Sequence, residues 1–326
     1  MGILDGKTIW CSGGTGSFGN AFVDMAMKRY KPKKIIIFSR DEFKQYLMKQ
    51  KFGQTGYESY KGDVLRFHLG DVRDARSVER SMKGVDIVIH TAALKQVDAG
   101  EYSPMEFIKT NIEGTYNVAE SATLRGVSKF VALTTDKAVF PINLYGKTKG
   151  CMDSLIIDSN IHPNTDYMLV RYGNVANSRG SIIPRIRQRL EEGYETIPIT
   201  DRRMTRFWIT LEEAVEMVLT ALEVGKGGET FIPKMPSFKL TDLVEAMCGN
   251  RWEETGIRPG EKLHEDLITE YDDVYDNGKY WIVYPTIMWK RHEKIGKREI
   301  FEEGLNSKWN EPRLTQKELK ERLETI

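Results

Sequence analysis

Cysteine is scarce in this chain, net charge is almost absent, and no long apolar run occurs. Three cysteines among 326 residues, Cys11, Cys151 and Cys248, are too few and too scattered for a disulfide framework. They form no C-x-x-C pair of the kind that holds structural zinc, and no metal is expected. A reducing, cytoplasmic setting fits this usage. The 48 basic and 47 acidic residues leave a formal charge of +1, so no overall field draws the chain to nucleic acid or to an anionic membrane. Anion binding must then come from local sites. No window approaches the ~18 uninterrupted apolar residues of a membrane helix, and no basic-then-apolar leader is visible, so neither membrane insertion nor export is expected. Internal repeats and low-complexity runs are missing too. What the chain does have is 40% hydrophobic and 29% charged residues, enough to bury a large core in one big α/β domain or two smaller ones.

The apolar run Lys7 to Ser12 stops at Gly13-Gly-Thr-Gly-Ser-Phe-Gly19, after which Phe18, Phe22 and Met25 recur at helical spacing. A second run, Ile35 to Phe38, ends in Ser39-Arg40, completing a strand, glycine turn, helix and strand of the length of a dinucleotide-binding fingerprint. Strands are predicted at Leu65 to Leu69, Val85 to His90, Phe130 to Leu133 and Tyr167 to Val170. Helical patterns at Asp74 to Lys83 and Pro104 to Arg125 separate them. The alternation predicts an α/β fold, a Rossmann-type doubly wound parallel sheet, with a smaller C-terminal substrate-binding lobe. Residues 1–175 are assigned to the dinucleotide-binding domain, with elements of about 200–225 returning to it. Residues 176–326 are assigned mainly to the lobe and tail. Thr210-Leu-Glu-Glu213 and Thr315-Gln-Lys-Glu318 are capping boxes that open helices. Tyr271 to Glu299 mixes acidic, aromatic and basic residues without a clear period and receives no assignment.

Gly13, Gly16 and Gly19, with Thr15, Ser17 and Phe18 between them, suit a turn that lets backbone approach a pyrophosphate at a helix N-terminus. Where an Asp or Glu would accept from a free ribose 2′-hydroxyl, Ser39 and Arg40 offer a hydroxyl and a guanidinium, which favours the 2′-phosphate of NADP. Alternatively Arg40 only caps a strand end near Asp41 and Glu42. Asp71 and Val72 follow the third strand, where Asp71 either meets an adenine edge or caps the helix that starts near Asp74. Tyr145 and Lys149 are one helical turn apart and share a face. A phenol has an unperturbed pKa of about 10, so an ammonium beside it is expected to favour the phenolate. His90 and His264 are read as structural.

The glycine turn, Tyr145 with Lys149, and Thr134-Thr-Asp-Lys137 resemble the extended short-chain dehydrogenase/reductase family. More narrowly, several runs are similar to the UDP-N-acetylglucosamine 4,6-dehydratases, in particular the 5-inverting enzymes of pseudaminic acid synthesis. They include Ser39-Arg-Asp-Glu42, Gly70-Asp-Val-Arg-Asp74, Ala92-Ala-Leu-Lys95, Lys109-Thr-Asn111, Thr135-Asp-Lys-Ala138 and Pro141-Ile-Asn-Leu-Tyr-Gly146. Arg171-Tyr-Gly-Asn-Val175, Ser178-Arg-Gly-Ser181, Arg203-Met-Thr-Arg-Phe-Trp-Ile209 and Gly256-Ile-Arg-Pro-Gly-Glu-Lys-Leu-His-Glu265 extend the likeness, which runs from about Lys7 to Ile268.

The resemblance implies NADP as cofactor, held at the glycine turn and by Ser39, Arg40, Asp71, Val72, Ala92, Lys95, Tyr145 and Lys149. It implies Tyr145 as base at O4 with Thr135 beside the same oxygen, Asp136 as acid for the leaving O6, and Lys137 as base at C5. For these roles the pKa of Asp136 must rise and that of Lys137 must fall. A UDP-sugar would meet Lys95, Asn174, Arg206, Arg258 and Glu261, unless Arg258 and Glu261 simply pair with each other. A homo-oligomer, dimer to hexamer, is implied as well. The chain departs from the family at Gln96-Val97-Asp98, which brings a carboxylate to the loop over the sugar, and at Val139-Phe140. C5-retaining dehydration, a UDP-hexose 4-epimerase and a non-catalytic NADP-binding scaffold are the competing readings.

Overall fold

The computed structural model describes residues 2–52, 64–287 and 289–326. Strand β1 (Thr8–Ser12) is buried along its whole length and leads through the glycine turn into α1 (Ser17–Arg29). There follow β2 (Lys34–Ser39), α2 (Glu42–Lys51), β3 (Leu65–Leu69), α3 (Ala75–Ser81), β4 (Ile87–His90), α4 (Val97–Tyr102), α5 (Pro104–Phe107) and α6 (Gly114–Leu124). The single helix expected from Pro104 to Arg125 is thus interrupted by a π-helical stretch, Ile108–Glu113. Next come β5 (Lys129–Thr135), α7 (Leu144–Asp158) and β6 (Asp166–Tyr172). Strand pairing is parallel from β3 through β2, β1, β4 and β5 to β6.

Successive residues of β1 face opposite ways, as a pleated strand requires. Ile9 and Cys11 join a cluster with Phe22 and Val23 of α1, whereas Trp10 joins Val78, Val118, Met152 and Ile156 on the other face. The Trp10 indole also donates to the Ser81 hydroxyl at 2.9 Å. Both faces of the sheet are therefore covered, which is why its strands are continuous apolar runs.

After β6 come β7 (Asn174–Val175), α8 (Ile182–Glu191), β8 (Ile197–Ile199), β9 (Thr205–Ile209), α9 (Leu211–Val224) and β10 (Thr230–Pro233). Then follow β11 (Ser237–Lys239), α10 (Leu240–Cys248), β12 (Trp252–Glu254), β13 (Asp266–Ile268), β14 (Asp273–Asp276), β15 (Tyr280–Tyr284), β16 (Lys297–Glu299), β17 (Leu305–Asn306) and α11 (Gln316–Glu324). The main sheet has ten strands in the order β16-β14-β15-β10-β6-β5-β4-β1-β2-β3. A boundary at residue 175 does not describe it. β10 lies parallel to β6, and β15, β14 and β16 follow antiparallel. The stretch left unassigned from sequence supplies this edge. Its apolar strand residues Val274, Ile282 and Val283 are buried, but the ion pairs of Asp273 with Lys294 and Arg298 load the flanks with charge and mask the period.

The remaining elements form a smaller layer around two clusters, one with Trp208, Phe238 and Leu319 and one with Ile186, Ile197 and Val244. No helix among the described residues is long and apolar enough to cross a membrane. Both capping boxes are present, at Thr210 with Glu213 and at Thr315 with Glu318. Replacing Thr210 with Ala removes the side-chain cap of α9, the helix that buries Val215, Val218 and Leu222 against the sheet. Chemical denaturation of this variant is expected to show a loss of about 1 kcal/mol.

Candidate active site

The glycine turn is built by close approach. Gly13 has φ +61°, and a Cβ there would lie 2.9 Å from the Thr91 hydroxyl; a Cβ on Gly19 would lie 2.1 Å from the Gly14 carbonyl oxygen. The turn, with Thr15, Gly16, Ser17 and Phe18, walls one end of a cavity of about 540 Å³. Ser39 and Arg40 lie on the same wall, joined by Lys44, which sequence reading did not single out. Arg40 does not fold back on Asp41 and Glu42. Its guanidinium lies 3.5 Å from Asp71, which also binds Arg73, while Asp41 pairs with Lys44. Asp71 is neither on the cavity wall nor the cap of α3; Asp74 accepts from the Ser77 amide and caps that helix, and Val72 reaches the cavity. Burial raises the Asp71 pKa, but its hydrogen bonds to Arg73 and the Arg40 charge outweigh that and lower it.

The cavity floor near Ala92 is set by a buried chain of hydrogen bonds. Ser12 Oγ accepts from the Thr91 and Ala92 amides at 3.0 and 3.1 Å, so its own proton goes to His90 Nδ1 at 2.8 Å. His90 Nε2 then donates to Thr115, whose hydroxyl donates to the Asn111 carbonyl. Burial presses the His90 pKa down to about 3, and the histidine is a neutral structural link. His264, hydrogen-bonded to Thr205 and lowered chiefly by burial, is another. The π-helical stretch places the Asn111 amide between Leu94 and Thr148, tying the loop after β4 to α7.

At the end of β5 the chain turns sharply at Asp136–Ala138. Asp136 is fully buried, and its Oδ1 accepts from the Thr135 hydroxyl at 2.9 Å and from Lys137 Nζ at 3.0 Å. Asp136 Oδ2 has no hydrogen-bond partner among the described residues. Lys137 Nζ also lies 3.1 Å from Glu265, a residue 2% exposed that sequence reading missed, and Glu265 is 3.7 Å from Arg206 Nε. Tyr145 stands on the first turn of α7, which Asn143 caps through the Gly146 amide at 2.8 Å. A Cβ on Gly146 would fall 2.1 Å from the Lys137 carbonyl oxygen, so glycine is what lets α7 approach the Asp136–Lys137 turn. Thr135, Lys137, Tyr145 and Lys149 all line the cavity.

The electrostatics differ from expectation in two places. Lys149 donates to the Leu133 carbonyl at 2.6 Å, and burial brings its pKa down to about 8 against the pull of Asp153. Burial pushes the Tyr145 phenol up to about 12, and the groups that pull it down are Lys137 and the Thr135 hydroxyl rather than Lys149. Burial also presses on the Lys137 ammonium, but Asp136 and Glu265 outweigh it and its pKa is raised, where a fall was expected. Asp136 behaves as anticipated: burial raises its pKa despite the neighbouring Lys137 charge.

Lys95 and Gln96 line the same cavity, whereas Asp98 sits exposed in the first turn of α4 and brings no carboxylate to the wall. Asn174 lines both this cavity and a second one of about 210 Å³, so the two are contiguous. Arg206, Arg258 and Glu261 line the second cavity, and the structure adds Arg185 and Arg189 to them. Three backbone carbonyls, those of Thr205, Lys262 and Leu263, hold the Arg206 guanidinium in place. The Arg258–Glu261 pair exists at 4.0 Å with Arg258 half exposed, a geometry worth only about 0–1 kcal/mol.

Residues 9–285 match the model of a family described as polysaccharide biosynthesis protein. The chain is 45% identical over 291 residues to a UDP-N-acetylglucosamine 4,6-dehydratase (inverting) from Campylobacter jejuni, covering 87% of this chain and 85% of the relative. It is 40% identical over 288 residues to a UDP-glucose 4-epimerase from Rickettsia bellii, covering 84% and 82%. Among solved structures it superposes on Pen from Bacillus thuringiensis with a TM-score of 0.88 at 32% identity, covering 99% of this chain and 100% of that one. The fold alone is shared with DesIV, a dTDP-glucose 4,6-dehydratase from Streptomyces venezuelae solved with NAD, at a TM-score of 0.69 and 21% identity over 78% and 86% of the chains.

The Gly146 contact makes a direct test of how the site is assembled. Gly146→Ala is expected to push the Asp136–Lys137 turn away from Tyr145 and to lower unfolding free energy by about 1–3 kcal/mol, as overpacking of a close contact does. Denaturant titration of the variant checks it.

Proposed function

The chain belongs to the polysaccharide biosynthesis protein family, and on that premise we propose that it catalyses the NADP-dependent 4,6-dehydration of UDP-N-acetylglucosamine with inversion at C5. The product is UDP-2-acetamido-2,6-dideoxy-β-L-arabino-hex-4-ulose, a precursor suited to pseudaminic acid or another surface glycan. The observation that carries this reading is the buried Asp136 ion-paired with Lys137, which lines the dinucleotide-sized cavity beside Tyr145.

The residues fit a nicotinamide dinucleotide. A side chain on Gly13 or Gly19 would fill the backbone cradle, and the α1 N-terminus supplies free amides for a pyrophosphate. Arg40 and Lys44 on the cavity wall support NADP over NAD, because together they suit a ribose 2′-phosphate. Asp71 contributes there by holding Arg40. Bound, the cofactor supplies a hydride acceptor for C4 and later a hydride donor for C6.

The chain's own groups do the proton chemistry. Tyr145 takes the O4 proton, with the Lys137 charge lowering the cost of the phenolate. The Asp136–Lys137 ion pair holds one mobile proton. Its transfer from Lys137 Nζ to Asp136 Oδ1 across 3.0 Å produces the neutral acid and neutral amine that elimination requires. Lys137 then accepts the C5 proton and Asp136 gives its proton to O6, which leaves as water, so elimination itself restores the ion pair. Once C6 has its hydride, C5 takes a proton on the opposite face, which gives the inversion, and the proton that Tyr145 took from O4 balances it. The unpartnered Asp136 Oδ2 suits a substrate hydroxyl. Lys149 holds the end of β5, and Lys95 contacts the sugar.

Arg206, Arg258, Arg185 and Arg189 supply the positive charge that a UDP diphosphate needs, Asn174 links the two cavities, and Glu261 accepts from ribose hydroxyls. Free cysteines support a cytoplasmic site of action. Exposed Tyr102, Met105, Tyr116 and Leu124 on α4 to α6 support a homo-oligomer.

The relatives named as epimerases make 4-epimerisation the second reading, and it needs no acid for C6. Asp136→Asn is expected to cut loss of water from UDP-N-acetylglucosamine by about 10²–10⁴-fold while transient nicotinamide reduction persists. Mass spectrometry of the sugar and single-turnover absorbance check the two halves. An Asp136→Asn protein with undiminished turnover to an epimer would establish the second reading instead.

A further inference from the structure

We propose that Glu265 is a positioning residue for this reaction. Its carboxylate fixes one N–H of Lys137 so that the nitrogen works between Asp136 and the sugar, and its charge sets the pH at which Lys137 gives up its proton. The inference rests on the dehydratase reading and deepens it.

Glu265 is 2% exposed and absent from the cavity wall, so it acts through Lys137, which does line the cavity. Lys137 and Glu265 lie 128 residues apart in the sequence, and only the fold brings them together, Nζ to Oε1 at 3.1 Å.

 Two further bonds hold this segment against the Asp136–Lys137 turn. Lys262 Nζ donates to the Val139 carbonyl at 2.6 Å, and the Glu265 amide donates to Ser307 Oγ at 2.9 Å while the Ser307 amide donates back to the Glu265 carbonyl at 2.8 Å. The carboxylate is therefore delivered by a braced backbone.

An ammonium needs one carboxylate for neutrality, and Lys137 has two. Asp136 takes one N–H and Glu265 a second, leaving one direction, which is open to the cavity. When the proton passes to Asp136, the neutral amine keeps its N–H on Glu265, because an ionised carboxylate only accepts. The amine lone pair is then confined to the Asp136 and cavity directions, where a base for C5 must aim. The charged groups facing this pair are Asp136, Arg206 from β9, Lys262 from the segment before β13, Lys95 after β4, and the Tyr145 phenol from α7. Arg206 and Lys262 offset Glu265, while the Glu265 charge itself favours the ammonium. Removing that charge should make Lys137 easier to deprotonate, and removing its reach should leave the nitrogen unaimed.

The test uses the NADP-loaded protein with two variants and two readouts. Competitive acetylation of Lys137 by acetic anhydride, read by mass spectrometry without substrate, reports how readily the amine forms. The pH profile of kcat for dehydration reports its use. In Glu265→Gln, Lys137 is expected to be acetylated about ten-fold faster at a fixed alkaline pH, equivalent to about one pKa unit, and the alkaline limb of kcat, where the Asp136–Lys137 pair loses its one mobile proton, is expected to move to lower pH. In Glu265→Asp, which keeps the charge at shorter reach, kcat is expected to fall about ten-fold with KM unchanged and the alkaline limb in place. Unchanged acetylation and an unchanged alkaline limb in a folded Glu265→Gln protein would overturn the inference. Should that variant not fold, undiminished kcat in Glu265→Asp would overturn it. A wild-type protein that does not dehydrate UDP-N-acetylglucosamine would instead overturn the reading on which it rests, and the acetylation arm would still report on Glu265.

Discussion

The structure turns on the burial of Asp136, hydrogen-bonded to the half-buried Lys137 at the end of β5. A buried carboxylate is expensive unless it is paired, and a buried pair left without one partner is costlier still. The surrounding elements are arranged around that demand. Gly146 lets α7 come close enough to set Tyr145 against the turn, Gly173 leaves room at Asp136 Oδ2, and the braced segment before β13 brings Glu265 to Lys137. The sheet supplies the rigid floor, and the smaller layer supplies the second carboxylate and the arginines.

The same pair explains how acid and base can coexist at neutral pH. Lys137 need not be a free amine with a depressed pKa, as the sequence suggested. An ion pair in contact at 3.0 Å becomes a neutral acid and a neutral amine by one internal proton transfer. Pairing thus stores both catalytic protonation states without any group being unpaired in the buried site. A 4-epimerase and a 4,6-dehydratase can share the dinucleotide cradle and Tyr145; they diverge at the group that must protonate O6, the role proposed for Asp136.

Much of the fold was legible because its signals are local. A strand ending in a glycine turn, apolar runs buried on both faces and capping boxes at Thr210 and Thr315 each lie within a short window. The edge β14 to β16 was not, because its strands are short and flanked by charged residues that pair with each other at the surface. In the site, Asp136, Lys137, Tyr145 and Lys149 were legible because they lie within one short run of sequence. Glu265 and Arg189 were not, because only tertiary packing brings them to the cavities, and no spacing announces it. Helical spacing puts Lys149 on the face of Tyr145, and it lines the same cavity, but nothing in the sequence signals that its ammonium also binds the Leu133 carbonyl.

The central claim is that water leaves from C6 and that the C5 proton passes through the protein. NMR of the sugar formed from UDP-N-acetylglucosamine in deuterated water tests both at once. The account predicts a 4-keto-6-deoxy sugar with deuterium at C5 and the L configuration. A product that retains its C6 hydroxyl and its C5 proton would contradict it.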